Sequence, residues 1–139
     1  MINEIIRPLW DKYAALDNSV NTWCNAFVAE VMRKYGYNGF DGKVANSIVS
    51  ILQHDKQWLC ITAETWDKSS LVVCGASGEP HGHVNLLIEG EYVESGKWGK
   101  KVPLCANIGK TNFWGKGVNW AFQKEPTYYQ WTNNIILKT

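Results

Sequence analysis

The order of the hydrophobic patterns along this chain constrains its fold more than any other feature. In the first part, apolar residues recur at the spacing of amphipathic helices, which predicts helices at 1–16, 21–35 and 44–54. After Ser70 the pattern changes to short apolar runs between turn residues, which predicts strands at 71–74, 82–88, 102–108, 118–122, 128–131 and 135–137. Gly90 is expected to turn the chain after the second of these strands. Helices that precede the strands indicate an α+β fold, with N-terminal helices packed on a mostly antiparallel sheet.

Length and composition limit the classes of protein to consider. The 139 residues suffice for one domain with a buried core, and 45% hydrophobic residues indicate a globular protein. The net charge of +1, without a long run of one sign, argues against a dedicated nucleic-acid binder. No stretch approaches 18 apolar residues, so no membrane span is expected. Residues 1–11 lack the regions of a signal peptide, so we expect a chain that is made in the cytoplasm.

Cys24 lies in the first turn of the second predicted helix, for which Ser19 or Asn21 is the expected N-cap. Free backbone N–H groups and the helix dipole stabilise a thiolate there, so this position predicts a lowered pKa and a reactive thiol. The alternative is a small buried apolar side chain, because free cysteines are often buried. The other cysteines show no zinc-type spacing, and one disulfide among them stays open; they are Cys60, Cys74 and Cys105.

A thiol nucleophile needs a base, and the base needs a polar group that fixes its tautomer. His54 is expected on the surface at a polar helix end. His83 is the expected base, because it follows Gly82, which permits a close approach, and opens an apolar strand. His81 would share a face with His83 on an extended strand, and a metal-binding pair is the less favoured alternative. Asn107, on the next strand, is expected to hydrogen-bond the far ring nitrogen of His83, with an ordinary turn residue as the alternative.

Three further residues are candidates for a substrate groove. Trp23 and Asn25 flank Cys24, and Trp114 lies in the Gly-rich segment 112–117, which is expected to be a loop. Asn25 is also a candidate for an oxyanion site, together with backbone N–H groups. Because tryptophans also fill cores, a core position is the alternative for Trp23 and for Trp114. Neither a metal nor an organic cofactor is expected.

Several segments, in order, resemble one family of enzymes. Residues 22–28, T-W-C-N-A-F-V, resemble the nucleophile helix of the NlpC/CHAP superfamily of papain-like cysteine peptidases. Other segments are similar to the family's small-residue segment, its run into the catalytic histidine strand and its closing strands, namely 43–48, 63–84, 106–109 and 117–122. CHAP members often carry an acidic residue where this chain has Cys105. The group that orients His83 therefore stays open among Asn107, Cys105 and a backbone carbonyl.

The resemblance implies a single papain-like domain over residues 1–139 that cleaves an amide in the peptide part of peptidoglycan through a thioester. Phage lysins and the amidase effectors of type VI secretion are both of this kind. The implied enzyme is a monomer that acts on the cell wall after lysis or secretion by a non-Sec route, and an immunity or chaperone protein stays open as a partner. The rival hypotheses are a Trp-rich module that binds glycan or peptide without catalysis, and a papain-like acyl transferase or protease with another substrate.

Overall fold

The fold combines three N-terminal helices with a six-stranded antiparallel sheet, so the predicted α+β class is confirmed. The structure, a computed structural model, describes residues 1–19, 22–78 and 81–133. Two short 3₁₀ turns lie at Ala63–Thr65 and Val118–Trp120. The helices and strands are α1 (Ile2–Ala14), α2 (Cys24–Lys34), α3 (Ala45–His54), β1 (Trp58–Ile61), β2 (Val72–Ala76), β3 (His83–Ser95), β4 (Lys100–Asn107), β5 (Phe113–Gly117) and β6 (Thr127–Trp131).

The strands follow the order β1-β6-β2-β3-β4-β5 in the sheet, and every pair is antiparallel. β6 lies between β1 and β2, where Tyr129 pairs with Cys60 on one side and with Val73 on the other. β3 and β4 form the longest ladder, in which Leu86 lies opposite Ala106. This register determines which side chains of the two strands can meet.

The helices bury the apolar stripes that their sequences predict. On α2 the fully buried side chains recur at offsets of one, three and four, and they are Phe27, Val28, Val31 and Met32. Each such side chain contributes roughly 1.5–3 kcal/mol relative to an exposed one. α2 packs on β3 and on α1. Cys24 is the first residue of α2 and His83 is the first residue of β3, so both belong to one packed pair of elements.

Several predicted boundaries are wrong. β3 does not turn at Gly90 but continues to Ser95, and a shift in its register against β4 between Ile88 and Val93 absorbs the irregularity. Residues 112–117, predicted as a loop, contain β5, because Gly115 with φ +88° forms a bulge and the ladder with β4 continues around it. Residues 118–122, predicted as a strand, begin with a 3₁₀ turn. The predicted strand at 135–137 lies outside the described residues.

The start of α2 also differs from the prediction. The N-cap is Trp23, which offers no capping hydrogen bond from its side chain, and Cys24 is the first helical residue. Ser19 is therefore not the cap, and Asn21 lies outside the described residues. No helix in the part of the chain that the structure describes has the length and apolar character needed to cross a membrane.

Candidate active site

The three predicted catalytic residues lie at the ends of elements that pack on one another. Cys24 opens α2, His83 opens β3 and Asn107 closes β4. Because Leu86 lies opposite Ala106, the next pair in the same register is Asn85 with Asn107. Side chains alternate between the faces of a strand, so His83, Asn85 and Asn107 all belong to one face of the sheet. The fold therefore brings the imidazole and the amide together across two neighbouring strands.

The side chain of Asn107 determines the tautomer of His83. The distance from His83 Nε2 to Asn107 Oδ1 is 2.6 Å, and Asn107 Nδ2 donates to the carbonyl of Thr111 at 2.8 Å. A carbonyl only accepts hydrogen bonds, so Nδ2 must point to Thr111 and Oδ1 to His83. His83 therefore carries its proton on Nε2 when it is neutral, and Nδ1 keeps a lone pair that can accept a proton.

Asn85 is a site residue that the sequence analysis missed. Its Nδ2 donates to Asn107 Oδ1 at 3.0 Å, and the residue is fully buried. Trp10 Nε1 adds a hydrogen bond to the backbone carbonyl of Asn107 at 3.0 Å. A signal for Asn85 does exist in the sequence, because it is a polar residue inside the apolar run 84–88 and follows His83 by two positions. Asn85 and Trp10 thus position Asn107, and Asn107 in turn positions His83.

The thiol of Cys24 lies near the backbone of Val84, the residue that follows His83. The backbone N–H groups near this thiol are those of Val84, Asn25 and Cys24. These donors favour the thiolate, as the position at the helix start predicts. Burial nevertheless has the larger effect and raises the pKa of Cys24, whose exposed fraction is 5%. The prediction of a lowered pKa is therefore wrong, because the buried thiolate would lose its hydration.

The surroundings of His83 favour its uncharged form. Burial lowers the pKa of His83 and outweighs the hydrogen bond to Asn107, which raises it. The ring of Phe122 packs against the imidazole with 5.2 Å between ring centroids. The close approach predicted for Gly82 is confirmed, because its φ is +69° and a Cβ there would lie 2.8 Å from the carbonyl oxygen of Ala76. The lowered pKa of His83 and the raised pKa of Cys24 together favour a neutral imidazole and a neutral thiol at rest.

The structure places the three groove candidates in different surroundings. Trp23 is half-buried, and its indole N–H donates to the carbonyl of Asp17 at 3.0 Å. The side-chain amide of Asn25 donates to the carbonyl of Lys43, so the backbone N–H of Asn25, and not its side chain, reaches the thiol. Trp114 lies opposite Ala106 and therefore on the other face of the sheet from Asn107. It packs there edge-on against Trp10, with 6.0 Å between ring centroids.

The remaining histidines and cysteines lie away from this arrangement. His54 is exposed, as predicted, and the exposed His81 precedes β3, so it does not share a strand face with His83. Among the described residues there is no group of three side chains suited to a metal ion. All four cysteines are free thiols. Burial raises the pKa of Cys105 to about 12, and Asn107, not Cys105, contacts His83.

Comparisons with known proteins leave the geometry as the main guide to function. No protein-family model matches the chain, and no curated protein matches it. The geometry itself supplies a thiol, an imidazole whose Nδ1 can accept a proton, and an amide that fixes the tautomer. Such a set can generate a sulfur nucleophile and return the proton to a leaving group.

Proposed function

We propose that this protein is a cysteine hydrolase with a papain-like fold that cleaves an amide bond in the peptide part of peptidoglycan. The observation that carries the proposal is the 2.6 Å hydrogen bond between His83 Nε2 and Asn107 Oδ1, on a strand whose next residue, Val84, has its backbone near the Cys24 thiol. It is supported by the order of the elements, with the thiol at a helix start and the imidazole on the strand against which that helix packs. The resemblance of segments 22–28, 82–84 and 106–109 to NlpC/CHAP peptidases supports the substrate class.

The proposed reaction transfers an acyl group to sulfur and then to water. As Cys24 Sγ attacks the amide carbon, its proton moves to His83 Nδ1. The N–H groups of Cys24 and Asn25, which lie near the thiol, are at the helix start where an oxyanion would need donors. The imidazolium then protonates the leaving amine as the C–N bond breaks and a thioester remains. Water attacks the thioester with His83 as base, which releases a carboxylic acid and restores the thiol.

Asn107 has two roles in this reaction. Its Oδ1 holds the Nε2 proton of His83, so that Nδ1 faces the reaction with a free lone pair. When the imidazolium forms, the same oxygen accepts a charge-assisted hydrogen bond, which stabilises the charge. Because the resting pair is neutral, proton transfer accompanies the attack, and a preformed thiolate–imidazolium pair is not required.

A second candidate function is a binding module without catalysis. One observation favours it: Cys24 is 5% exposed and the pKa of its thiol is raised, as expected of an inert buried cysteine. In such a module, the network around Asn107 would only stabilise the sheet. Reaction of the native thiol with iodoacetamide separates the two candidates, since a substrate-accessible thiol beside a base should be alkylated much faster than an inert one.

Digestion of purified peptidoglycan tests the proposal. Wild type and Cys60→Ala should release soluble fragments whose new amine and carboxylate ends identify the cleaved amide by mass spectrometry. Cys60 is the matched control because it is an exposed free thiol on β1, at the far edge of the sheet. Cys24→Ala and His83→Ala should release none. Fragment release by Cys24→Ala would contradict the proposal. Failure of the wild type to release any would favour the binding module if Cys24 is inert, and another amide substrate if it is reactive.

A further inference from the structure

We propose that a surface beside the candidate active site binds a carboxylate-bearing peptide segment of the substrate. This surface, the β5 platform, consists of the exposed side chains of Lys116 and Trp120, next to the buried ring of Phe113. The inference rests on the proposed function for the identity of the substrate. The binding site itself follows from register, exposure and charge, which do not depend on the chemistry at Cys24.

The register of β5 against β4 places the β5 platform on the same face as the histidine. Phe113 lies opposite Asn107, and Lys116 lies opposite Cys105. Paired residues share a face, and Asn107 and Cys105 are two positions apart on one strand, so all four side chains belong to one face. This is the face on which Asn107 meets His83. The β5 platform is thus a lateral continuation of the candidate active site.

Trp120 joins this face through Lys116. The ammonium of Lys116 lies 4.6 Å from the ring centroid of Trp120 and 5.9 Å from that of Phe113. The exposed fraction of Trp120 is 66%, although its large apolar side chain would favour burial. The chain then continues to Phe122, whose ring contacts His83. The exposed indole ring of Trp120, which contacts the ammonium of Lys116, therefore lies two positions along the chain from Phe122, whose ring packs against the imidazole of His83.

The segment that carries the β5 platform is held in place by the turn between β3 and β4. Lys97 Nζ donates to the carbonyl of Phe122 at 2.9 Å and to that of Asn119 at 3.4 Å. Trp98 Nε1 donates to the carbonyl of Gln123 at 3.1 Å. These three hydrogen bonds hold residues 119–123 from one side, so the position of Trp120 relative to His83 is set before a ligand arrives.

The positive charge of residues 96–124 favours a ligand that carries carboxylates. Residues 96–124 contain six lysines and neither aspartate nor glutamate, although the whole chain carries a net charge of only +1. Lys100 pairs with Glu64 and Glu125. Lys116 forms no ion pair with the part of the chain that the structure describes, so its ammonium can receive a carboxylate from outside. A peptide with free carboxylates can form an ion pair with Lys116, and its apolar atoms can lie on the ring of Trp120. A neutral glycan could stack on that ring but could not pair with Lys116.

Binding without turnover tests the inference directly. Cys24→Ala serves as the background, and isothermal titration calorimetry measures its affinity for peptidoglycan stem peptides, for the same peptides with amidated carboxylates, and for neutral glycan oligomers of N-acetylglucosamine, which carry no carboxylate. Lys116→Gln should weaken binding of the free-acid peptide about tenfold, and so should amidation. Trp120→Ala should weaken it about fivefold. Added salt should weaken it as well, because the pair is exposed. Matched controls lie at the opposite edge of the sheet, where Lys56→Gln and Leu59→Ala should leave the affinity unchanged.

The outcomes separate this inference from the proposed function. Affinities of the Lys116 and Trp120 variants within twofold of the controls would overturn the inference, even if wild type digests peptidoglycan. Glycan oligomers that bind as tightly as the free-acid peptide, with a loss only in Trp120→Ala, would also overturn it and indicate a sugar-stacking surface. If the Lys116 and Trp120 variants lose affinity as expected but the wild type never releases peptidoglycan fragments, the binding site would be supported and the proposed hydrolase rejected. Both altered side chains are exposed, so the variants should fold like the parent.

Discussion

Replacing Asn107 with alanine should destabilise the fold by an amount that follows from its hydrogen bonds. The side chain accepts from His83 and Asn85 and donates to the carbonyl of Thr111. Asn85 is fully buried, and its Oδ1 has no partner among the described residues, so its amide would keep only a contact with the Cys105 thiol. Each buried donor left unpaired costs about 1–3 kcal/mol, so the two donors together cost about 2–6 kcal/mol. Thr111 is exposed, and water can replace its lost donor.

A double-mutant cycle in urea tests this reasoning through the free energy of unfolding. Asn107→Ala leaves the buried amide of Asn85 without its acceptor, and Asn85→Ala removes that amide. The loss of unfolding free energy in the double variant should therefore be smaller than the sum of the two single losses by about 1–2 kcal/mol. Asn25→Ala is the matched control, because it loses one exposed hydrogen bond to the carbonyl of Lys43 and should be additive with Asn107→Ala. Additivity of Asn85→Ala and Asn107→Ala within about 0.5 kcal/mol would refute the network.

Three further predictions concern the reaction and the groups that face His83. In Gly109→Ala the new Cβ would lie 3.3 Å from His83 Cε1, so the imidazole must shift by a few tenths of an ångström; kcat should fall about threefold to tenfold, and an unchanged kcat would contradict the geometry. Because burial lowers the pKa of His83 and raises that of Cys24, kcat/KM should fall on acidification only below the usual pKa of an imidazole, and on the alkaline side only above the usual pKa of a thiol. An acidic midpoint above ~6.5 would reverse the sign of the inferred shift. Phe122→Ala should admit water beside the imidazole and raise the pKa of His83, which an NMR titration of the ring protons measures; an unchanged or lower value would show that the phenyl ring does not control hydration.

The helical half of the fold could be predicted because local spacing determines which face of a helix is apolar. Phe27 and Val31 repeat at four residues, and both are fully buried against the sheet. The error at residues 112–122 has a different origin. Gly115 and Gly117 are poor strand formers, yet both lie in β5 because pairing with β4 stabilises the strand. Such pairing joins segments distant in sequence, so a local pattern does not encode it.

The candidate site shows the same division between local and tertiary information. Asn107 was expected behind His83 because it lies on the next strand, and the register of β3 and β4 brings the two together. Asn85 has no turn or motif around it, and its one signal in the sequence, a polar residue inside an apolar run two positions after His83, does not identify Asn107 as its partner. The pKa of Cys24 was predicted in the wrong direction, because the helix start is a local property, whereas burial under the sheet is not.

The position of β6 in the sheet has a consequence for how the chain folds. Among the described residues, β1 has β6 as its one neighbour in the sheet, and β2 needs β6 on one side, although residues 127–131 come more than 50 residues after both strands have been made. Until β6 docks, β1 and β2 face each other across a gap one strand wide, with unpaired N–H and C=O groups on both sides. Closing that gap requires contacts of large sequence separation, which slow folding. During this interval the gap is also an acceptor for a strand from another molecule, so slow docking of β6 exposes the nascent protein to aggregation.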